Sequence, residues 1–242
     1  MSATRIQVRR SERITPHMVR VTFAGDGLAV DNGFTDRYVK LLFPGEGGFP
    51  DNLDDLPRDQ LPPRRTYTIR SHDADSGELT IDFVHHGDSG LAGPWAASAK
   101  PGDELYFLGP GGAYAPDPTA DWHLLVGDES ALPAIGAAID ALSPAANVVA
   151  VVGSAEPQPF DREVRWVDPA DVVDTVRALT FPAGRVHAFV HGEMGMVKEL
   201  RGHLTGDRGL DREQLSISGY WRRGLHEDAF QAEKRTTAGA AR

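Results

Sequence analysis

GPGGAYAPDPTADWHLLV, residues 109–126, divides the chain into two rhythms. Its first part, 109–121, has the Pro and Gly density of a linker. Its last five residues, WHLLV, are a continuous apolar run. Upstream, residues 18–24 (MVRVTFA) alternate apolar and polar side chains, as a half-buried strand does. Residues 6–10, 37–43 (RYVKLLF), 66–70 (TYTIR), 79–85 (LTIDFVH) and 104–108 (ELYFL) also read as short strands. Six short strands separated by turn signals predict an antiparallel barrel or sandwich, the Greek-key β-barrel being the expectation carried forward, interrupted by one short helix over 91–99. Residues 44–64 are rich in Pro, Gly and Asp, have no apolar period and exceed an ordinary connection, so they are functional or mobile.

Downstream the pattern predicts a helix over 131–142, with Ala134, Ile135, Ala138, Ile139 and Leu142 on one stripe. It continues with strands over 147–152 and 164–167, a helix over 169–179 and a strand over 186–190. A helix over 194–204, a strand over 215–218, a last helix over 225–235 and a frayed tail over 236–242 complete it. Continuous apolar strands alternating with helices mean a parallel sheet covered on both faces. The expected domains are therefore a β-barrel over 1–115 and an α/β nucleotide-binding domain over 120–242.

Composition narrows the function classes. Of 242 residues, 25 are Lys or Arg and 35 are Asp or Glu, a net charge of −10. That balance argues against sequence-independent nucleic-acid binding and against a polybasic hold on membranes. There is no Cys, which removes disulfides, thiolate nucleophiles, Cys-ligated zinc and ordinary iron–sulfur clusters. The N-terminus has no apolar run of signal-peptide length, and no stretch approaches about 20 apolar residues. The expectation is a cytoplasmic protein with no stable membrane association, and a monomer.

Five segments carry candidate chemistry. In RRTYTIR (64–70), a strand puts Arg65, Tyr67 and Ile69 on one face and Thr66, Thr68 and Arg70 on the other. A planar cofactor with a diphosphate needs a ring to stack on, a hydroxyl or amide for a ring nitrogen, and a cation for the phosphate. Arg65, Tyr67 and Thr68 supply these if the strand end is splayed; an exposed basic edge strand explains the same letters. Stacking contributes about 0.5–1.5 kcal/mol beyond burial, and a charge-assisted Arg–phosphate bond about 1.5–3 kcal/mol. In HHGDSGLAGPWA (85–96), glycines before a helix let backbone approach an anion, or simply form a turn and cap. The GDSG within it is not a serine-protease nucleophile site, because the second half is α/β and Leu91-Ala92 replaces the glycine and proline that would follow.

GDESALPAI (127–135) follows the first α/β strand, where a mononucleotide or nicotinamide end sits, although a plain Ser130 cap is the simpler reading. No GxxxxGK[ST] occurs, so an ATP-binding P-loop has no support. His187 and His191 lie four apart on one strand, but two His without a third ligand do not make a metal site. SGYWRRG (218–224) offers two aromatics and two guanidinium groups to cover a flat ring or hold an anion, or to pack and be solvated.

Together RRTYTIR, DFVHHGDSGLAGPWA, GDESALPAI, FVHGE and GYWRRG, in this order, resemble the siderophore-interacting protein family, flavin-dependent ferric-siderophore reductases of the ferredoxin reductase superfamily. The resemblance implies a barrel that binds FAD and an α/β domain that binds NADPH or NADH. It puts Arg65, Tyr67 and Thr68 on the flavin motif, and Asp82, Val84 and His85 on the segment bordering the flavin. It puts Gly93, Trp95 and Ala96 on the diphosphate loop, and Asp128, Glu129 and Ser130 on the nicotinamide side. Lys40 and Arg222 match basic positions that attract anionic ferric siderophores. Gly111 stands where many relatives carry Arg, a departure that weakens the hold on strongly anionic catecholates. No catalytic acid, base or nucleophile and no resident metal is implied. Glu156 favours NADH and Arg162 and Arg165 favour NADPH; the resemblance tips the expectation to NADPH. The expected function is reduction of ferric siderophores with release of ferrous iron. A flavin dehydrogenase with a quinone or protein acceptor, and a flavin- or siderophore-binding protein without turnover, stay open.

Overall fold

A computed structural model describes residues 3–57, 59–225 and 229–230. The last helix expected over 225–235 and the tail over 236–242 lie outside the described residues, save Leu225, Ala229 and Phe230. The chain divides into two compact units, Met1–Ala115 with Gly136–Ala141 and Pro116–Ile135 with the rest from Leu142.

The first unit is a closed antiparallel barrel of six strands: β1 Thr4–Thr15, β2 Met18–Ala24, β3 Tyr38–Leu42, β4 Arg64–Asp73, β5 Glu78–Val84 and β6 Glu104–Gly111, in the order β1-β2-β5-β4-β3-β6. Period-two alternation drives it: Val19, Val21 and Phe23 of β2, Val39 and Leu41 of β3, and Leu79, Ile81 and Phe83 of β5 all bury into one core. The helix α1 Ala92–Ser98 belongs to that core through Ala92 and Ala96. β1, β4 and β6 all run longer than expected. β1 runs twelve residues because its polar second half (SERIT) pairs with β2 across two register shifts, and a polar outer ribbon has no apolar period to read. The expected linker over 109–121 loses its first three residues to β6, where Gly111 pairs with Tyr38 across a further register shift. The 44–64 connection holds one 3-10 turn, Leu53–Asp55.

The second unit is a five-stranded parallel sheet in the order β11-β10-β7-β8-β9, from β7 Trp122–Asp128, β8 Val148–Gly153, β9 Arg165–Val167, β10 Val186–Glu193 and β11 Leu215–Trp221. Its helices are α2 Leu132–Ala141, α3 Val172–Arg177 and α4 Met194–Gly202. Trp122, Leu124 and Val126 pack with α3 and α4 residues Val172, Val176, Val197 and Leu200. Leu125 and Phe189 are equally buried, as are Ala134, Ile135 and Ala138 of α2, so the central strands are buried on both faces. The sheet starts at β7, grows outward through β8 and β9, then returns to β10 on the other side of β7. The strand order therefore reverses between β7 and β10, and the crevice outside the carboxyl ends of these two strands is the ligand-binding position of such sheets.

Candidate functional site

In the barrel, β4 pairs with β3 along its whole first half, from Arg64 opposite Leu42 to Thr68 opposite Tyr38. Its ladder to β5 begins only at Ile69, opposite Ile81. Beyond that pair β5 continues as Asp82, Phe83 and Val84, which ladder to β2 and not to β4. The two strands therefore splay, and the Arg65–Thr68 edge is turned away from ladder pairing on that side.

The expected residues distribute around this opening unequally. Arg65 and Tyr67 are half-buried at it and Thr68 is buried. Tyr67 packs its ring 4.5 Å from Phe83, at the border of the core. Val84, His85 and Gly93 come together: a Cβ on Gly93 would lie 2.9 Å from the Val84 carbonyl oxygen and 3.4 Å from His85 Cα. Only a bare residue lets α1 start this close to the end of β5. The loop between them turns at Gly87 and Gly90, both in the left-handed region, with φ of 68° and 88°. Other side chains point elsewhere. The Asp82 carboxylate accepts two bonds from Arg20, at 2.7 and 2.8 Å, across the β2–β5 ladder. This bidentate pair holds the Arg20 guanidinium firmly charged, its pKa raised above the ordinary value by the Asp82 hydrogen bonds. Ala96 is fully buried in the core, and Trp95, half-buried, packs against Phe23, Phe43 and Phe83 at its border. Lys40 lies on the outer face of β3, opposite Thr66.

In the α/β unit, Asp128 ends β7 at the order-reversal crevice, and its carboxylate is used by the protein itself. Oδ1 accepts from Ser130 N (2.9 Å) and Ser130 Oγ (2.5 Å); Oδ2 accepts from Glu193 N (2.8 Å) and Trp221 Nε1 (2.8 Å). It thus ties β7 to β10 and β11. Gly192 permits it: at φ 136° a Cβ there would press within 2.7 Å of Oδ2. Burial pushes the Asp128 pKa up, against the pull of its four donors. Of the residues read as nicotinamide-side, Ser130 donates its N–H and its hydroxyl to Asp128 Oδ1, while Asp128 Oδ2 serves Glu193 and Trp221. Glu129 accepts from the buried Ser154 hydroxyl at 2.8 Å. Trp221, 40% exposed, is a residue the sequence offered only as part of an aromatic pair; its bond to Asp128 joins positions 93 residues apart. Arg222 follows it, exposed, just past the end of β11. Arg162 donates to the carbonyls of Ala146 and Ser143, and Arg165 is exposed on β9.

His191 Nε2 is 3.0 Å from Ser216 Oγ and its ring stacks on Phe189. Among the described residues no three His, Asp or Glu side chains form a group that could hold a metal ion. No described helix is long and apolar enough to cross a membrane.

Comparison with known proteins follows this division. Residues 7–114 match the siderophore-interacting FAD-binding domain, and residues 120–224 match the siderophore-interacting protein model. An uncharacterized protein of Mycobacterium tuberculosis is 42% identical over 97% of this chain and 95% of its own. The ferric vibriobactin reductase ViuB of Vibrio cholerae is 32% identical over 93% of this chain and 91% of its own. The NADPH-dependent ferric-chelate reductase of Escherichia coli is 29% identical over 89% and 91%. The crystal structure of a siderophore utilization protein from T. fusca superposes with a TM-score of 0.80 at 35% identity, covering 93% of this chain and 94% of that one. The ferredoxin reductase in carbazole 1,9a-dioxygenase, at 19% identity and a TM-score of 0.64 over 88% and 64% of the two chains, shares the fold alone.

Proposed function

The chain belongs to the siderophore-interacting protein family, and from that premise we propose that it is an FAD-dependent, NADPH-linked oxidoreductase that reduces ferric siderophores and frees ferrous iron in the cytoplasm. The observation that carries the reading is the splayed β4 edge, Arg65–Thr68, inside the segment that matches an FAD-binding domain.

The residues present fit FAD. Arg65 offers a cation for the diphosphate, Tyr67 a ring and Thr68 a hydroxyl, on an edge without β5 pairing. Gly93 keeps the start of α1 bare of side chain where backbone must come close. Held by Arg65, Tyr67 and Thr68, FAD would supply the chemistry that couples a two-electron nicotinamide donor to a one-electron acceptor. That coupling is required, because the donor supplies a hydride and Fe(III) accepts one electron, so one NADPH reduces two ferric chelates to two Fe(II), NADP⁺ and a proton. With no Cys, the chain has no thiolates for an iron–sulfur relay. The protein's own work is positioning and charge. Lys40 and Arg222 draw an anionic chelate, while Asp128 holds the crevice at the ends of β7 and β10 in shape for the donor. Fe(II) is held weakly by hard oxygen donors, so reduction loosens the complex.

The test is an anaerobic absorption spectrum of the purified protein, before and after NADPH or NADH, with a ferric siderophore and a ferrous trap. A yellow protein that NADPH bleaches and the chelate restores, with about two trapped Fe(II) per NADPH, is the expected result. A colourless protein that stays inert with added FAD overturns the proposal. Bleaching with faster turnover on quinones than on ferric siderophores moves the acceptor elsewhere.

A further inference from the structure

Tyr38 opens β3 with its ring on the outer face of the barrel, 37% exposed. Beneath the ring is Gly111 of β6. A Cβ built there would lie 2.4 Å from Tyr38 Cζ, 2.6 Å from its hydroxyl oxygen and 2.9 Å from Cε1. Gly111 is not among the glycines with left-handed φ, so this position uses the missing side chain and not the backbone freedom. The next residue repeats the device: a Cβ on Gly112 would lie 2.7 Å from Cβ of Phe34, which is 38% exposed. Two exposed rings thus rest on two successive bare residues.

The position of the Tyr38 ring gives it a task. Tyr38 is the direct cross-strand partner of Thr68, the last residue of β4 before its ladder to β5 begins. Lys40 lies two residues along β3, on the same outer face. A chelate whose iron is reduced at the splayed edge meets, on this wall, a phenol ring and an ammonium group. Aromatic rings favour other π systems, whereas an ammonium alone selects for negative charge.

We propose that Tyr38, bedded on Gly111, is a specificity-determining residue that favours ferric chelates carrying aryl groups over aliphatic ones. This rests on the ferric-chelate reading of the site.

Gallium(III) complexes test it without electron transfer, since gallium matches Fe(III) in charge and size and is not reduced. Gallium tris(benzohydroxamate) and gallium tris(acetohydroxamate) share donor set and neutrality and differ in phenyl against methyl. Calorimetric titration of the full-length protein is expected to favour the phenyl complex by roughly three- to tenfold, the span of an aromatic pair. Tyr38→Phe keeps that preference. Tyr38→Ala abolishes it, with methyl-complex affinity unchanged, and Gly111→Ala, which displaces the ring, reduces it. Thermal melts verify that each variant is folded. A parent protein that binds neither complex or binds both equally, or a preference that survives in Tyr38→Ala, overturns the proposal. Failure of ferric turnover with the gallium preference intact counts against the reductase reading alone.

Discussion

Asp128→Ala separates a strand-tying carboxylate from one that serves the electron donor. The change removes the acceptor of four hydrogen bonds. Two of the donors recover partners in water: the Ser130 hydroxyl can rotate, and Trp221 is 40% exposed. The other two, Ser130 N and Glu193 N, are backbone groups in part-buried positions. Each left unsatisfied costs about 1–3 kcal/mol. Removal of a carboxylate whose burial already disfavours its charge returns part of that sum. The net expectation is a loss of about 2–4 kcal/mol, or roughly 10 °C in the melting of the α/β unit. Asp128→Asn should lose about half as much, because one oxygen still accepts from Glu193 N and Trp221 while its NH2 faces Ser130 N. Scanning calorimetry gives the stabilities, and tryptophan emission should shift red as the indole of Trp221 is released. A variant that melts within about 2 °C of the parent yet shows a raised KM for NADPH would refute the reasoning.

Gly93→Ala presses a methyl group into the Val84 carbonyl oxygen, 2.9 Å away, and backbone on both sides must yield. A loss of about 1–3 kcal/mol is expected, with purified protein carrying less FAD by absorbance; full flavin content would contradict the proposed diphosphate loop. His123 and His187 are neighbours across β7 and β10, and His187 Nδ1 accepts from Asp117 N at 3.0 Å, which requires a neutral ring nitrogen. Burial lowers both pKa values from the ordinary 6.5, with the His187 charge adding to the effect on His123. Their contribution to stability is therefore intact above about pH 6.5 and lost as the pH falls toward the folded values. Melting temperature against pH should decline on that acid side, and His123→Phe should flatten the decline; an unchanged slope in that variant argues against the assignment. Lys40→Ala with Arg222→Ala should raise the KM for an anionic ferric chelate about tenfold or more with little change in NADPH KM; an unaltered chelate KM removes both residues from the substrate site.

Much of the architecture was legible in the residues. Alternation in MVRVTFA and LTIDFVH marks strands with one buried face, and unbroken runs such as WHLLV mark strands buried on both. These are properties of single segments, since the periods of strand and helix repeat within a few residues. RRTYTIR was likewise readable as a ring-and-cation edge. Its use depends on β4 joining β5 only from Ile69 onward, which is a matter of register between strands and leaves no trace in either alone. The same holds for Asp128. Its segment reads as a nucleotide loop, yet its oxygens belong to Ser130, Glu193 and Trp221, partners up to 93 residues away. Ala96 reads as a loop residue and is buried, with Trp95 packed half-buried beside it, because α1 needs an apolar face to sit in the barrel core. Gly111 looks like linker glycine until Tyr38 is seen lying on it. Local periodicity set the kind and order of the elements; which polar atoms were left for a ligand was decided by long-range pairing, because a hydrogen-bonding group buried by the fold takes whatever partner the packing brings to it.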